Sequence, residues 1–162
     1  MIYSIFDVNA HRKKTKTFWL RMICSAVFVF CLGNANAGTG NIDASGRMNF
    51  SINYRFIPTT AEIASLRTEL QIANDLIYNA TEGQIKFGNV TITAGGSGEA
   101  EADIWIIGAG GRSGVTVWSD GSGFGRMGAH INLFQTQAVG PIIAHELAHL
   151  AFGMFDEYSE QR

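Results

Sequence analysis

The sequence is short of cysteine, proline and charged residues. Its 162 residues include only 2 cysteines and 2 prolines, and 16% of the residues are charged. Hydrophobic residues make up 46% of the chain, which excludes a disordered protein too polar to build a core. The 19 glycines follow no Gly-X-Y period, so they exclude collagen and indicate long loops. The length predicts a single domain.

Positive charge is also scarce outside the N-terminal segment. Residues 38–162 contain 7 lysines and arginines but 13 aspartates and glutamates, whereas residues 1–37 contain 5 and 1. A surface that binds nucleic acid would need the opposite sign of charge on the folded part. We therefore expect no nucleic-acid partner.

Residues 1–37 have the order of a secretory signal peptide. A basic stretch at 11–21 precedes an uncharged apolar run of 11 residues at 22–32, and Ala35-Asn36-Ala37 matches a small-residue cleavage signal. A membrane anchor is the alternative interpretation, but a span needs about 20 apolar residues. We expect a secreted or periplasmic protein in which 38–162 form the domain and no stable membrane span remains after cleavage.

Both cysteines, Cys24 and Cys31, fall in this predicted signal peptide. The exported domain would then have no disulfide, so its stability must come from a core, a metal or a partner. A metal site in such a domain would have only His, Asp and Glu as ligands.

Hydrophobic periodicity predicts an α+β fold. Apolar residues alternate with polar ones from Met48 to Phe56, which is typical of a half-buried strand. Thr59-Thr60-Ala61-Glu62 resembles a capping box, and apolar residues at three- and four-residue spacing follow it to about Gly83. The remaining elements are predicted as strands at 85–92, with Gly88 a candidate bulge, at 104–107 and at 129–134, then a helix from Pro141 to Phe152 that Gly153 ends.

The sequence His145-Glu146-Leu147-Ala148-His149 predicts a metal site. Residues four apart lie on one face of a helix, so both imidazoles can reach one zinc ion at about 2.0–2.1 Å. Glu146 follows the first ligand and can reach a water molecule beside the metal. A catalytic zinc site usually has three protein ligands, and Gly153 allows the chain to fold back after the helix. We expect Asp156 to be the third ligand, with Glu157 as the alternative.

Packed histidines on an apolar helix are the alternative to a metal site. That alternative leaves the intervening Glu146 unexplained, because an ionised glutamate on an apolar helix is costly without a partner. His130 is expected to be a structural or substrate-side residue on a strand flanking the site rather than a ligand. Asp103 and Asp120 could bind calcium, but isolated acidic residues in loops are usually solvated.

The residues from His145 to Tyr158 resemble the HExxHxxxGxxDEY signature of the metalloprotease domain of calcium-activated chloride channel regulators (CLCA). They are also similar to the IgA-peptidase class of bacterial metallopeptidases, and both belong among the metzincin-like zinc peptidases. The match covers 14 residues. The preceding order of strands and helices is similar to the metzincin upper subdomain, a twisted mixed sheet with a backing helix and an active-site helix.

The resemblance implies a function for each matching residue. His145, His149 and Asp156 would bind zinc, and Glu146 would be the catalytic base. The strand His130–Phe134 would be the edge strand that pairs with an extended substrate. No Met-turn follows Asp156 in this sequence, so the lower subdomain is expected to be missing and a C-terminal domain or a partner to complete the site.

The sequence thus predicts an exported zinc-dependent endopeptidase that hydrolyses protein or peptide substrates. Two alternatives stay open. One is a non-catalytic, zinc-stabilised secreted module for binding or adhesion. The other is a secreted domain without a metal, in which the histidine motif has arisen by chance.

Overall fold

The computed structural model of the chain describes residues 3–4 and 40–154, apart from positions 97, 109, 117–122 and 127. The predicted signal peptide lies outside the described residues except for Tyr3–Ser4. Within the described part, no helix has the length and apolar content needed to span a membrane.

The described residues form an α+β domain with a mixed sheet and two long helices, which confirms the predicted fold class. A short 3₁₀ helix, Gln135–Gln137, precedes the second long helix. The elements in chain order are β1 (Tyr3–Ser4), β2 (Asn41–Ile42), β3 (Arg47–Tyr54), α1 (Thr60–Ala80), β4 (Lys86–Ala94), β5 (Ile104–Ile107), β6 (Gly114–Thr116), β7 (His130–Phe134) and α2 (Gly140–Phe152).

The strand order corrects one expectation. The sheet runs β1-β4-β3-β5-β7-β6, with β2 paired to β3. Strands β4, β3, β5 and β7 are parallel, whereas β6 is antiparallel to β7 and forms the edge of the described sheet. The expectation that His130–Phe134 is the edge strand is therefore wrong. The strand that displaces it, described over Gly114–Thr116, lies in a glycine-rich segment that gives no clear two-residue period.

Both helices pack against one face of the sheet. The alternating residues Met48, Phe50, Ile52 and Tyr54 of β3 are buried in a core shared by the two helices. The predicted bulge is present where β4 passes Asn49, because Met48 pairs with Phe87 and Phe50 pairs with Val90. Two residues of β4, Gly88 and Asn89, thus oppose one residue of β3.

Helix α1 begins at the predicted capping box. The Thr59 hydroxyl accepts a hydrogen bond from the backbone N–H of Glu62 at 3.2 Å, and the Glu62 carboxylate accepts one from the backbone N–H of Thr59. The hydrogen bonds that the carboxylate accepts from the backbone N–H and the hydroxyl of Thr59 lower the pKa of Glu62 below its usual value. Four of the six predicted periodic residues are buried, which are Leu66, Leu70, Ala73 and Ile77, whereas Ile63 is half-buried and Ala80 is exposed.

The opposite face of the sheet contains a buried carboxylate. Asp103 is only 1% exposed. It accepts hydrogen bonds from the backbone N–H of Gly40 at 2.9 Å, and from the backbone N–H and hydroxyl of Ser51 at 2.8 Å each. The expectation of a solvated loop residue is wrong for Asp103, which joins three segments of the chain. Asp120 lies outside the described residues.

Candidate metal centre

Helix α2 carries the histidine motif, and its local sequence determines where it begins and ends. Pro141 lies in the first turn, where its missing N–H is not needed. Gly153 is the C-cap in the left-handed conformation, with φ 64° and ψ 26°, as its position predicts. The apolar side of the helix packs on the core through Ile143, Leu147 and Leu150.

The N-terminus of α2 is held by α1. The N-cap residue, Val139, makes no side-chain cap. Instead the Glu69 carboxylate of α1 accepts a hydrogen bond from the backbone N–H of Gly140 at 2.7 Å. A Cβ atom at Gly140 would lie 2.6 Å from Cβ of Ile72 and 2.9 Å from the backbone oxygen of Glu69. Only glycine allows the two helices to approach this closely.

The C-terminal end of α2 is held by a loop and by its own cap. The backbone N–H of Phe124 donates to the carbonyl of Leu150 at 3.1 Å. The backbone N–H of Gly153 donates to the carbonyl of His149, also at 3.1 Å. Both bonds use carbonyls in the last turn, which lack partners inside the helix. The helix is therefore fixed at both ends, and the histidines between them are fixed with it.

The two histidines converge as the four-residue spacing predicts. Nε2 of His145 and Nε2 of His149 lie 3.0 Å apart. The ring centroids are 4.4 Å apart with an interplanar angle of 87°. His145 is exposed and His149 is half-buried. The pair is therefore accessible from solvent on the side of α2 away from the core.

A backbone carbonyl contacts the second histidine. Nδ1 of His149 lies 2.5 Å from the carbonyl oxygen of Met154, the first residue after the helix cap. A carbonyl oxygen only accepts hydrogen bonds, so the ring donates its Nδ1 proton. Histidines that bind metals commonly donate the other ring N–H to a carbonyl in this way.

Glu146 is the buried acidic residue of this helix. Its side chain lies on the core side of the histidine pair, and the residue is only 7% exposed. At about 100° of rotation per residue, it lies about 60° around the helix from His149. A carboxylate beside two imidazoles and largely shielded from bulk water is suited to proton transfer at that position.

The pair fits a zinc ion in donor type and spacing. In a tetrahedral site, two nitrogens at about 2.0–2.1 Å from zinc lie about 3.3 Å from each other, close to the observed 3.0 Å. Among the described residues, no group of three or more His, Cys, Asp or Glu side chains could hold a metal. The two candidates for the third ligand, Asp156 and Glu157, lie outside the described residues.

His130 does not join the histidine pair. It lies on the sheet face opposite α2, where its ring stacks on Trp105 with centroids 3.6 Å apart and an interplanar angle of 23°. Nδ1 of His130 is 3.1 Å from the carbonyl oxygen of Gly128. Burial lowers the pKa of His130, and the nearby positive charge of Arg55 lowers it further. The strand of His130 contacts α2 as expected, but its ring packs on Trp105 and does not join the histidine pair.

Sequence analysis missed one of the two strands that contact α2, the strand β6. Helix α2 contacts β6 and β7. Two hydrogen bonds fix the start of β6. The backbone N–H and the hydroxyl of Ser113 both donate to Oε1 of Gln137 at 2.7 Å. The Ser113 hydroxyl also accepts from the backbone N–H of Phe134 at 3.2 Å. The run Val115-Thr116-Val117-Trp118 among the glycines is the sequence signal that could have indicated this strand.

No family model, curated protein or solved structure matches this chain.

Proposed function

We propose that this chain is an exported zinc-dependent endopeptidase domain of the metzincin type. In this proposal His145, His149 and Asp156 hold the zinc ion, and Glu146 is the general base. The domain corresponds to an upper subdomain, with α1 as the backing helix and α2 as the active-site helix. In this proposal the domain acts outside the cytoplasm, as a secreted or periplasmic protein.

One observation carries the proposal. The Nε2 atoms of His145 and His149 face each other at 3.0 Å on the accessible side of a helix that is fixed at both ends. Two histidines that merely pack in a core would bury their rings, but His145 is exposed. The intervening carboxylate of Glu146 is the buried one. This arrangement provides metal ligands on one side of the helix and a shielded base next to them.

The chemistry is the hydrolysis of a peptide bond. A zinc ion held by these residues would act as a Lewis acid that polarises the carbonyl group of the scissile peptide bond and lowers the pKa of water. Glu146 accepts a proton from the water molecule whose oxygen attacks the carbonyl carbon. When the C–N bond breaks, Glu146 delivers that proton to the leaving amine. The contact with the Met154 carbonyl keeps the ring of His149 in position to bind the metal.

The substrate would be an extended protein or peptide segment. An edge strand offers unpaired backbone groups with which such a segment can form hydrogen bonds. We assign this role to β6, which is the edge strand beside α2, in place of the interior β7.

A non-catalytic, zinc-stabilised module for binding or adhesion is the second candidate. The observation that favours it is the exposure of apolar side chains next to the histidines. Phe152 is 38% exposed and Met154 is 58% exposed. A protein partner could cover these side chains, and zinc would then stabilise the surface instead of activating water.

Zinc binding by the purified chain tests the site. We expect about one zinc ion per chain by elemental analysis. His149→Ala and Asp156→Ala should each lose it, while His130→Ala should retain it because His130 lies on the other face of the sheet. Loss of zinc in Glu157→Ala but not in Asp156→Ala would move the third ligand by one residue. Full retention after both His149→Ala and Asp156→Ala would refute the site.

A further inference from the structure

We infer that Asp103 is a positioning residue for α2, the helix that carries the histidine pair. Its carboxylate holds the N-terminal end of the domain at Gly40, and Gly40 holds the loop at Phe124 against the last turn of α2. The effect of Asp103 on a metal rests on the proposed function, whereas its effect on the helix does not.

The Asp103 carboxylate connects two distant segments of the chain. Oδ1 accepts a hydrogen bond from the backbone N–H of Gly40 at 2.9 Å, and Oδ2 accepts hydrogen bonds from the backbone N–H and the hydroxyl of Ser51 at 2.8 Å each. Both Asp103 and Gly40 are buried. Hydrogen bonds to a charged group are strong, and shielding from water strengthens them further. The carboxylate therefore fixes the backbone of Gly40 relative to β3.

Gly40 packs directly against the loop that contains Phe124. A Cβ atom added at Gly40 would lie less than 3 Å from the ring of Phe124 and from Oδ1 of Asp103. From the other side, a Cβ atom added at Gly125 would lie 2.5 Å from the carbonyl oxygen of Gly40. Neither position has room for a side chain, because interiors are packed without spare volume. Gly40 is therefore in contact with the carboxylate and with the loop at the same time.

The loop at Phe124 contacts the last turn of α2. The backbone N–H of Phe124 donates to the carbonyl of Leu150 at 3.1 Å, and its ring packs against the core. Leu150 directly follows His149, and the carbonyls of a last turn have no partner inside the helix. Through Phe124, the position of Gly40 therefore affects the turn that carries His149. Gly40 lies three residues after Ala37, so removal of the predicted signal peptide would leave it in the chain.

Amide hydrogen exchange of the full chain tests the positioning role. The N–H of Phe124 reports on the C-terminal end of α2, and the N–H of Gly140, which is bonded to Glu69, reports on its N-terminal end. Gly40→Ala forces a methyl group against the Phe124 ring, so exchange at Phe124 should become faster by about 10-fold while exchange at Gly140 stays unchanged. Zinc affinity should fall by about 10-fold, the low end for residues that orient metal ligands.

Ser51→Ala is the matched control. It removes a hydroxyl that donates to Oδ2 of Asp103 and leaves the hydrogen bond from Gly40 to Oδ1 in place. It should lower the stability of the domain, because a buried acceptor loses a partner, without making exchange at Phe124 faster relative to Gly140. If Gly40→Ala changed the two amides in the same ratio as Ser51→Ala does, the role of Asp103 would be structural only and the inference would be overturned.

The wild-type chain provides a test that does not depend on the folding of a variant. Amides that open in one cooperative unit exchange with the same free energy, so Gly40 and Phe124 should show equal protection. A Phe124 amide that exchanges while Gly40 stays protected would overturn the inference. Unchanged zinc affinity in Gly40→Ala, despite faster exchange at Phe124, would overturn the effect on the metal. If exchange is as expected but the wild-type chain binds no zinc, the positioning of α2 stands and the proposed function fails.

Discussion

The carboxylate of Glu69 and the backbone nitrogen of Gly140 lie 2.7 Å apart, so one helix of this domain caps the other. The first N–H groups of a helix have no partners within it, and α2 has no side-chain cap of its own. A negative charge at this end also interacts favourably with the helix dipole. The orientation of the histidine pair on α2 therefore depends on a side chain of α1.

Removing this cap should destabilise the fold. Glu69→Ala is expected to lower the free energy of unfolding by about 1 kcal/mol, the usual cost of losing an N-cap. Glu69→Gln keeps an acceptor oxygen and should lose less. Urea denaturation measures the effect, and Asp75→Ala on the exposed side of the same helix is the control. Equal losses for Glu69→Ala and Asp75→Ala would contradict the capping role.

Closing the space between the helices should also be destabilising. In a helix, alanine is normally more favourable than glycine by about 0.8–1.0 kcal/mol. At position 140, however, an added Cβ would lie less than 3 Å from Ile72 and from the backbone of Glu69. We expect Gly140→Ala to cost about 1–3 kcal/mol, the range for overpacking. Gly110→Ala, where an added Cβ meets no atom within 4 Å, should be nearly neutral. A stabilised Gly140→Ala would show that the helices can separate without cost.

The half-buried His130 should make stability depend on pH. Burial lowers the pKa of His130 in the folded state, so the unfolded chain binds more protons once the pH falls below the ordinary value of about 6.5. Stability is therefore fully present above that value and is lost as the pH falls toward the folded pKa.

The free energy of unfolding, measured at pH about 8 and at pH about 5.5, gives the size of this loss. The two values lie above and below the ordinary histidine pKa of about 6.5. His130→Phe keeps an aromatic ring to stack on Trp105 but cannot bind a proton. The wild-type chain should lose more stability between the two pH values than this variant does. The remaining histidines are the same in both proteins, so an equal loss would exclude a contribution from His130.

Replacing the proposed base should separate metal binding from turnover. Glu146→Gln preserves size and hydrogen bonding, so zinc content should stay at the wild-type level. Any peptidase activity should fall by about 10²–10⁴-fold, which corresponds to about 3–5 kcal/mol of activation free energy. Metal analysis and cleavage of an unfolded protein substrate provide the two readouts, with the exposed Glu82→Gln as the control.

Two results would count against this mechanism. Equal cleavage by Glu146→Gln and the wild-type chain would show that Glu146 is not the base. A chain that binds zinc and a protein partner, yet cleaves no substrate under any condition, would favour the non-catalytic module.

The elements that sequence analysis predicted correctly depend on residues close together in the chain. The capping box needs only Thr59 and Glu62, and the histidine pair needs only the four-residue spacing of a helix. Gly153 ends α2 because a left-handed residue suits a helix end, whatever lies nearby. The role of Asp156 stays a prediction, because it lies outside the described residues.

The tertiary structure alone decided which distant segments meet. Strand pairing puts β6 at the edge and β7 inside the sheet, although the sequence pattern of β7 suits either position. The cap from Glu69 to Gly140 joins residues 71 positions apart, and the stack of His130 on Trp105 joins two strands. Local periodicity determines which face of an element is apolar. It does not determine which neighbour covers that face, because this depends on contacts that form only when the whole core packs.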